Sequence, residues 1–373
     1  MNQRTLVETK TVILFSGTNP FRFECGATIP EVTIAYETYG KLNSAGDNAI
    51  LICHALTGSA HAGFYHTPED KVAGWWDGFV GHGCPLDPQK YFIISPNILS
   101  GCYGTTGPDS IDPRTGQKYK MTFPPTTTRD MVNANKALLD YLGVTRLKCV
   151  VGGSLGAMQV WEWVVQFPDF MELAIPIAGT TQGSPWMTAL NEVARQAIFN
   201  DPNWCNGNYD NPVPAAGLHV ARMLGMISYR TPEQFEERFR RERVNPSPEA
   251  ALDFDNWFQV ESYLHYQGDK LVKRFDTRSY VYLSEAMDLQ DISRGFSSLE
   301  EALNRIQTKM LVIGLSSDLL YLPYELIRTV EQLKALGKNA RYAEISTKFG
   351  HDAFLIEYDK LNPIVTEFLE QQV

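Results

Sequence analysis

Along this chain, runs of consecutive apolar residues alternate with segments whose apolar residues recur every three or four positions. The continuous runs, bounded by turn residues, read as buried strands, and the longer spacing reads as helix. From residue 11 to 55 the strand candidates are "TVILF", "EVTIAYETYG" and "NAILICHAL", and "KYFIISPNI" follows before the loop "LSGCYGTTGPDS". "TTRDMVNANKALLDYLGV" has helical spacing, with Arg129 and Asp130 in its first turn and Gly143 as a stop signal. Next come a strand "RLKCVVGG", a helix "AMQVWEWVVQF" and a strand "ELAIPIAGT". From about residue 182 the pattern changes. "WMTALNEVARQAIF", "AAGLHVARMLGMIS", "TPEQFEERFRRER" and "DNWFQVESYLHYQGDKLVKRF" all read as helices, with no convincing strand among them up to residue 300. The strand-helix alternation then resumes with "KMLVIGLSSDLLYLP", "YELIRTVEQLKALG", "ARYAEIST" and a last helix "PIVTEFLEQQ". The pattern predicts an α/β fold, a mostly parallel sheet with helices on both faces. Residues 1–181 and 301–373 form its core, and 182–300 are an inserted helical lid.

The turn between "RLKCVVGG" and the next helix holds Gly152, Gly153, Ser154, Leu155 and Gly156, the pattern G-x-S-x-G. In a strand-to-helix turn this is a nucleophile elbow, which needs small residues where backbone meets backbone. A serine hydroxyl is a poor nucleophile at neutral pH and needs a base, and the base needs an orienting acid. On such a fold these follow in the order serine, acid, histidine. Asp318, after the strand "KMLVIGLSS", and His351, in "KFGHDAF", fall in that order, with Ser316 and Ser317 as turn neighbours of the acid. The predicted catalytic residues are therefore Ser154, Asp318 and His351. The oxyanion donors are the backbone N–H of Leu155, directly after the nucleophile, and that of Leu56 in "HALTG". His54, His61 and His66 lie close in sequence but match no zinc spacing, so no metal is expected. The "GCYGTTG" loop lacks the ending of a P-loop and reads as a structural turn.

Composition narrows the partners. The chain has 373 residues, 44% hydrophobic and 20% charged, the make-up of an ordinary globular protein. A net charge of −10 argues against nucleic acid or an anionic membrane surface and leaves small-molecule substrates. The six cysteines are scattered, with no C-x-x-C pair, which fits reduced thiols and a cytoplasmic location. The opening "MNQRTLVETKTVILFSG" has no apolar core long enough for a signal peptide, and no later run reaches the length of a spanning helix.

The stretches "CHALTGSAHA", "GCPLDPQKYFIISPNILSGCYGTTGP", "VVGGSLGAMQVWEW", "NEVARQAI", "MISYRT", "FDTRSYVYLSEAMD" and "FGHDAFLIE" together resemble the homoserine O-acetyltransferase family, over nearly the whole chain. The resemblance implies an α/β-hydrolase core and a helical lid that also mediates a homodimer. It implies ping-pong transfer of an acetyl group from acetyl-CoA to L-homoserine, a step of methionine biosynthesis, with no bound cofactor. The family's triad falls on Ser154, Asp318 and His351, and its polar substrate contacts on Thr57, Arg195, Tyr229 and Asp352. Arg195 and Asp352 would give a zwitterion a cation for its carboxylate and an anion for its ammonium. The stretch "GTTQGSPWMTAL" departs from the family's pattern, and its Trp186 is expected to reshape the acyl or alcohol pocket. A carboxylesterase, or an O-succinyltransferase acting on serine or homoserine, would use the same triad through a similar acyl-enzyme. Whether Arg195 and Asp352 face the pocket separates transferase from esterase.

Overall fold

The computed structural model describes residues 4–210 and 213–370. Eight strands among them form one sheet: β1 (Lys10–Leu14), β2 (Val32–Tyr39), β3 (Ala49–Cys53), β4 (Phe92–Pro96), β5 (Leu147–Gly153), β6 (Met171–Ile177), β7 (Lys309–Leu315) and β8 (Ala340–Ile345). Their order across the sheet is β1-β2-β4-β3-β5-β6-β7-β8. β1, β2 and β4 pair antiparallel, and every pairing from β4 through β8 is parallel. Neighbouring residues of each central strand enter different cores. Leu51, Val150, Ala174 and Val312 join one, while Ile50, Ile52, Cys149, Val151 and Ile313 join the other. This is why the strands read as unbroken apolar runs: a parallel sheet is covered on both faces.

Two core helices show how local chemistry sets boundaries. α1 (Thr128–Tyr141) starts at a capping box, in which Thr127 and Asp130 each bind the other's backbone N–H. Gly143, in the left-handed region at φ 76°, ends the element. α2 (Leu155–Gln166) is buried on nearly every side, and its Glu162 is paired with Arg129 at 3.1 Å.

Residues 182–300 carry α3 (Pro185–Phe199), α4 (Ala215–Ser228), α5 (Pro232–Phe239), α6 (Gln259–Val272) and α7 (Thr277–Asp288). α5 is shorter than "TPEQFEERFRRER" predicts, because the backbone turns at Arg240 to φ 47°. α7 was not among the helices read from periodicity; its buried positions include the polar Thr277, Arg278, Ser279 and Ser284. The two ends of the insertion pair with each other. Gly183 N–H donates to Gln290 O at 2.8 Å, Ile292 N–H to Thr181 O at 3.1 Å, and the Gln182 amide to Asp291 at 3.0 Å. The core resumes with α8 (Leu299–Asn304), α9 (Pro323–Ala335) and α10 (Tyr358–Glu370). Gln371 and Gln372 of the predicted last helix lie outside the described residues, as do the first three residues of the chain. Among the described residues no helix is long and apolar enough to cross a membrane, and all six cysteines are free thiols.

Candidate functional site

The connection β3–β4 runs toward one edge of the sheet and the connection β4–β5 runs back toward the other, so the order reverses between β3 and β5. A parallel sheet opens a crevice at the carboxyl ends of its strands at such a reversal. Ser154 follows β5 and the turn 54–58 follows β3, and both line one cavity of about 200 Å³.

Ser154 sits at φ 60°, ψ −125°, a conformation in which a side chain is strained. The strain persists because the backbone around it is fixed: Ser154 N–H donates to Ile177 O at 3.0 Å. A side chain on Gly156 or Gly152 would collide with the Cys53 carbonyl oxygen, which is why the elbow needs glycine at both places. The phenol of Tyr321 lies beside the Ser154 hydroxyl, and its O–H donates to Met187 Sδ at 3.3 Å. Burial pushes that phenol well above its ordinary value and keeps it neutral. Its ring lies 5.2 Å from the His351 imidazole.

Asp318 and His351 meet in the interior. His351 Nδ1 is 2.8 Å from Asp318 Oδ2, and both residues are buried. Asp318 Oδ1 accepts the N–H groups of Leu320 at 2.8 Å and Tyr321 at 3.1 Å, so both carboxylate oxygens are held. Ser317 Oγ accepts Gly350 N–H at 3.1 Å and ties the two loops together. Burial alone would lower the His351 pKa. The charge and hydrogen bond of Asp318 outweigh it, so the imidazole titrates above its usual value.

The turn 54–58 is oriented by a neutral histidine. Ile98 N–H donates to His54 Nε2 at 3.1 Å, which places the ring proton on Nδ1, from where it donates to Ala55 O at 2.8 Å. Burial holds the His54 pKa down at about 4 and keeps the ring uncharged. Gly58 N–H also donates to Ala55 O, at 2.9 Å. In a trans peptide the N–H points opposite to the carbonyl, so Leu56 N–H is turned away from these donors. Among the described residues neither Leu56 N–H nor Leu155 N–H has a protein acceptor. His54 therefore stands apart from His61 and His66. Those two surround Glu37 instead, with His61 Nδ1 at 3.1 Å and His66 Nε2 at 2.8 Å. Thr9 and Tyr39 donate to the same carboxylate. Burial would raise the Glu37 pKa, but hydrogen bonds from His61, His66 and Tyr39 hold it at about 2. The two imidazoles are tilted by 31° with centroids 3.8 Å apart, and their inward nitrogens and the Glu37 carboxylate lie within 4.8 Å of one another. This is a buried carboxylate satisfied by its donors.

Of the residues expected to bind substrate, Thr57, Tyr229 and Asp352 line the cavity with Leu56, Ser154 and His351. Arg195 does not. It is buried within the lid, where Asp288 at 2.7 Å, Glu285 at 2.9 Å and Glu192 at 3.1 Å surround its guanidinium. The nearest nitrogen–oxygen pairs to Glu285 and Asp288 are out of line for hydrogen bonds, so these are ion pairs. They fasten α3 to α7, because an arginine at this depth needs carboxylates around it. The cavity's cations are Arg222 and Arg274, which sequence reasoning missed. Arg222 precedes Tyr229 by seven residues, two helical turns on one face of α4, and that spacing is the signal that could have found it. Among the described residues no carboxylate lies within 4.0 Å of Arg222, whose guanidinium stands 5.8 Å from the Tyr229 ring. Asp352 is held by Arg230 at 2.9 Å. Trp186 is more than half exposed, donates to Leu319 O at 2.6 Å and lies outside the cavity wall, so it does not shape the acyl or alcohol pocket.

The alpha/beta hydrolase fold family matches residues 48–357. Homoserine O-acetyltransferase of Carboxydothermus hydrogenoformans is 49% identical over 98% of this chain and 96% of its own. The crystal structure of homoserine O-acetyltransferase from Bacillus anthracis superposes with a TM-score of 0.92 at 32% identity, covering 98% of each chain. Esterase E22 superposes with a TM-score of 0.89 at 30% identity, over 98% of this chain and all of that one.

Proposed function

We infer the reaction from the premise that the chain belongs to the homoserine O-acetyltransferase family, within the alpha/beta hydrolase fold. We propose that it moves an acetyl group from acetyl-CoA to the side-chain hydroxyl of L-homoserine, a step toward methionine. Ser154 Oγ attacks the thioester carbonyl while His351 Nε2 takes its proton and Asp318 holds the imidazole. The developing oxyanion is met by the N–H groups of Leu56 and Leu155. The CoA thiol leaves with the proton from His351, and an acetyl ester remains on Ser154. Homoserine then enters, and its hydroxyl oxygen attacks the acetyl carbonyl as His351 takes the proton. The intermediate in the same oxyanion site collapses by breaking the Ser154 Oγ–acyl bond, Ser154 leaving with the proton from His351.

The observation that carries this reading is the charge in the cavity wall. Arg222 supplies a cation for the homoserine carboxylate, and Asp352 an anion for its ammonium. An esterase of small neutral esters has no use for that pair. Replacing Arg222 with alanine is expected to lower kcat/KM for homoserine by about 10- to 100-fold, the loss of one charge-assisted contact. Acylation of Ser154 by a neutral ester should change little. Arg195→Ala should instead lower the melting temperature, because it strands the buried Asp288 carboxylate. The check is thiol release from acetyl-CoA with and without homoserine. Release indifferent to homoserine would leave hydrolysis as the activity.

The same reading includes a homodimer through the lid. Val193 and Phe199 on α3, Val220 and Ile227 on α4, and Tyr266 on α6 present apolar side chains to solvent, and α4 packs between α3 and α6. Exposed apolar side chains on helices packed side by side are the kind of surface that a partner covers. Light scattering at micromolar concentration should give twice the chain mass, and Val220→Asp or Ile227→Asp should give the single mass. A parent protein with the single mass at every concentration removes the dimer.

A further inference from the structure

Arg274 stands where the lid meets the core. It lies two residues after α6 and three before α7. Its Nη1 donates to Thr57 O at 2.9 Å and to the Tyr103 hydroxyl at 2.6 Å, and its Nη2 lies 3.5 Å from Thr57 Oγ1. The next residue, Phe275, is buried and meets the Tyr103 ring edge-on at 5.8 Å. The backbone of Arg274 is thus anchored while its side chain reaches across the cavity wall. Among the described residues no carboxylate lies within 4.0 Å of it, whereas the buried arginines of the lid, Arg195 and Arg278, are both ion-paired. Arg274 is itself exposed, so solvent meets its charge while its Nη1 holds two oxygens of the core.

The Thr57 carbonyl belongs to the turn whose N–H must face the reacting carbonyl. The Ala55 carbonyl of that turn is drawn off by His54 and Gly58. The Thr57 carbonyl, two residues on, is drawn off by Arg274, and this donor comes from the lid rather than from the core. We propose that Arg274 is a positioning residue, holding the 55–58 turn through the Thr57 carbonyl with Leu56 N–H aimed at the oxyanion, and coupling that alignment to the seating of the lid. The proposal rests on the reading of Leu56 as an oxyanion donor. Because an oxyanion exists only along the reaction path, the loss of alignment falls on kcat and spares KM. It also falls on both half-reactions, since each passes through a tetrahedral intermediate. Arg222, by contrast, acts only on the acceptor.

The test compares Arg274→Met and Arg274→Lys with the parent, using burst kinetics with p-nitrophenyl acetate and thiol release from acetyl-CoA with homoserine. Arg274→Met is expected to slow acylation by both donors about 10- to 100-fold, less than the loss of an oxyanion donor outright. KM for the ester should move less than about twofold, since the neutral ester makes no use of the cation before the oxyanion forms. Arg274→Lys should regain much of the rate, because an ammonium can still donate to the Thr57 carbonyl. It also carries the comparison if methionine loosens the lid. In Arg274→Ala, added guanidinium at non-denaturing concentration should restore part of the rate, which a purely structural role would not allow. An unchanged burst in Arg274→Met overturns the proposal. So does a loss confined to the KM of acetyl-CoA, which would make Arg274 a contact of the donor. The ester burst reports on Arg274 even if homoserine accepts nothing, so failure of this proposal is distinct from failure of the transferase reading.

Discussion

Ser154→Ala is expected to abolish acyl transfer, with a loss of about 10⁴-fold or more, because no other group in the cavity can carry the acetyl between the two half-reactions. Both the burst with a neutral ester and thiol release from acetyl-CoA should disappear together. A variant within tenfold of the parent would show that Ser154 is not the nucleophile. The strained backbone supplies a second readout. At φ 60°, ψ −125° a residue with a side chain costs on the order of 1–3 kcal/mol, and glycine adopts such a conformation more readily. Ser154→Gly should therefore be as inactive as Ser154→Ala but should melt higher than it. Equal melting temperatures would mean that the elbow stores no strain.

Asp318→Asn should cost about 10³- to 10⁴-fold in kcat, through the tautomer of His351. Asp318 Oδ1 accepts the N–H groups of Leu320 and Tyr321. Asparagine has one oxygen to satisfy them, which turns its NH₂ toward His351 Nδ1. That nitrogen must then accept, the ring proton moves to Nε2, and the nitrogen that should take the serine proton is occupied. The pH profile carries the sign of the same interaction. The neutral imidazole is the base, and Asp318 raises the His351 pKa, so the acid limb of kcat/KM lies above the usual imidazole value. Without the carboxylate charge, burial prevails and the acid limb of the residual activity moves to lower pH. An acid limb that stays in place in Asp318→Asn would assign it to another group.

The elements with a strong one-dimensional signature were legible. The central strands of the parallel sheet are nearly continuous apolar runs because both faces are covered, so "KCVVGG" and "MLVIGL" declared themselves. The elbow was legible because backbone crowding leaves only glycine at two places beside Ser154. Asp318 and His351 followed from chain order, since each closes a loop at the carboxyl end of a late strand. α7 was not legible: it buries the polar Thr277, Arg278, Ser279 and Ser284 beside its apolar residues, so polarity there does not mark an exposed face.

The sequence by itself therefore determined the mostly parallel sheet and the helical character of the segment after β6, and it placed Ser154, Asp318 and His351 just beyond the carboxyl ends of their strands, because local periodicity, turn sterics and chain order act over short stretches. Only the tertiary structure decided which charges reach the cavity. Arg195, Arg222 and Arg274 are all arginines of the lid segment, yet one is enclosed by Glu285 and Asp288 and the other two reach the cavity. A guanidinium goes where its nearest carboxylates leave it, and those carboxylates lie as far as 93 residues away in the chain, as Asp288 does from Arg195. No spacing in the sequence records that distance once α3 and α7 have packed together.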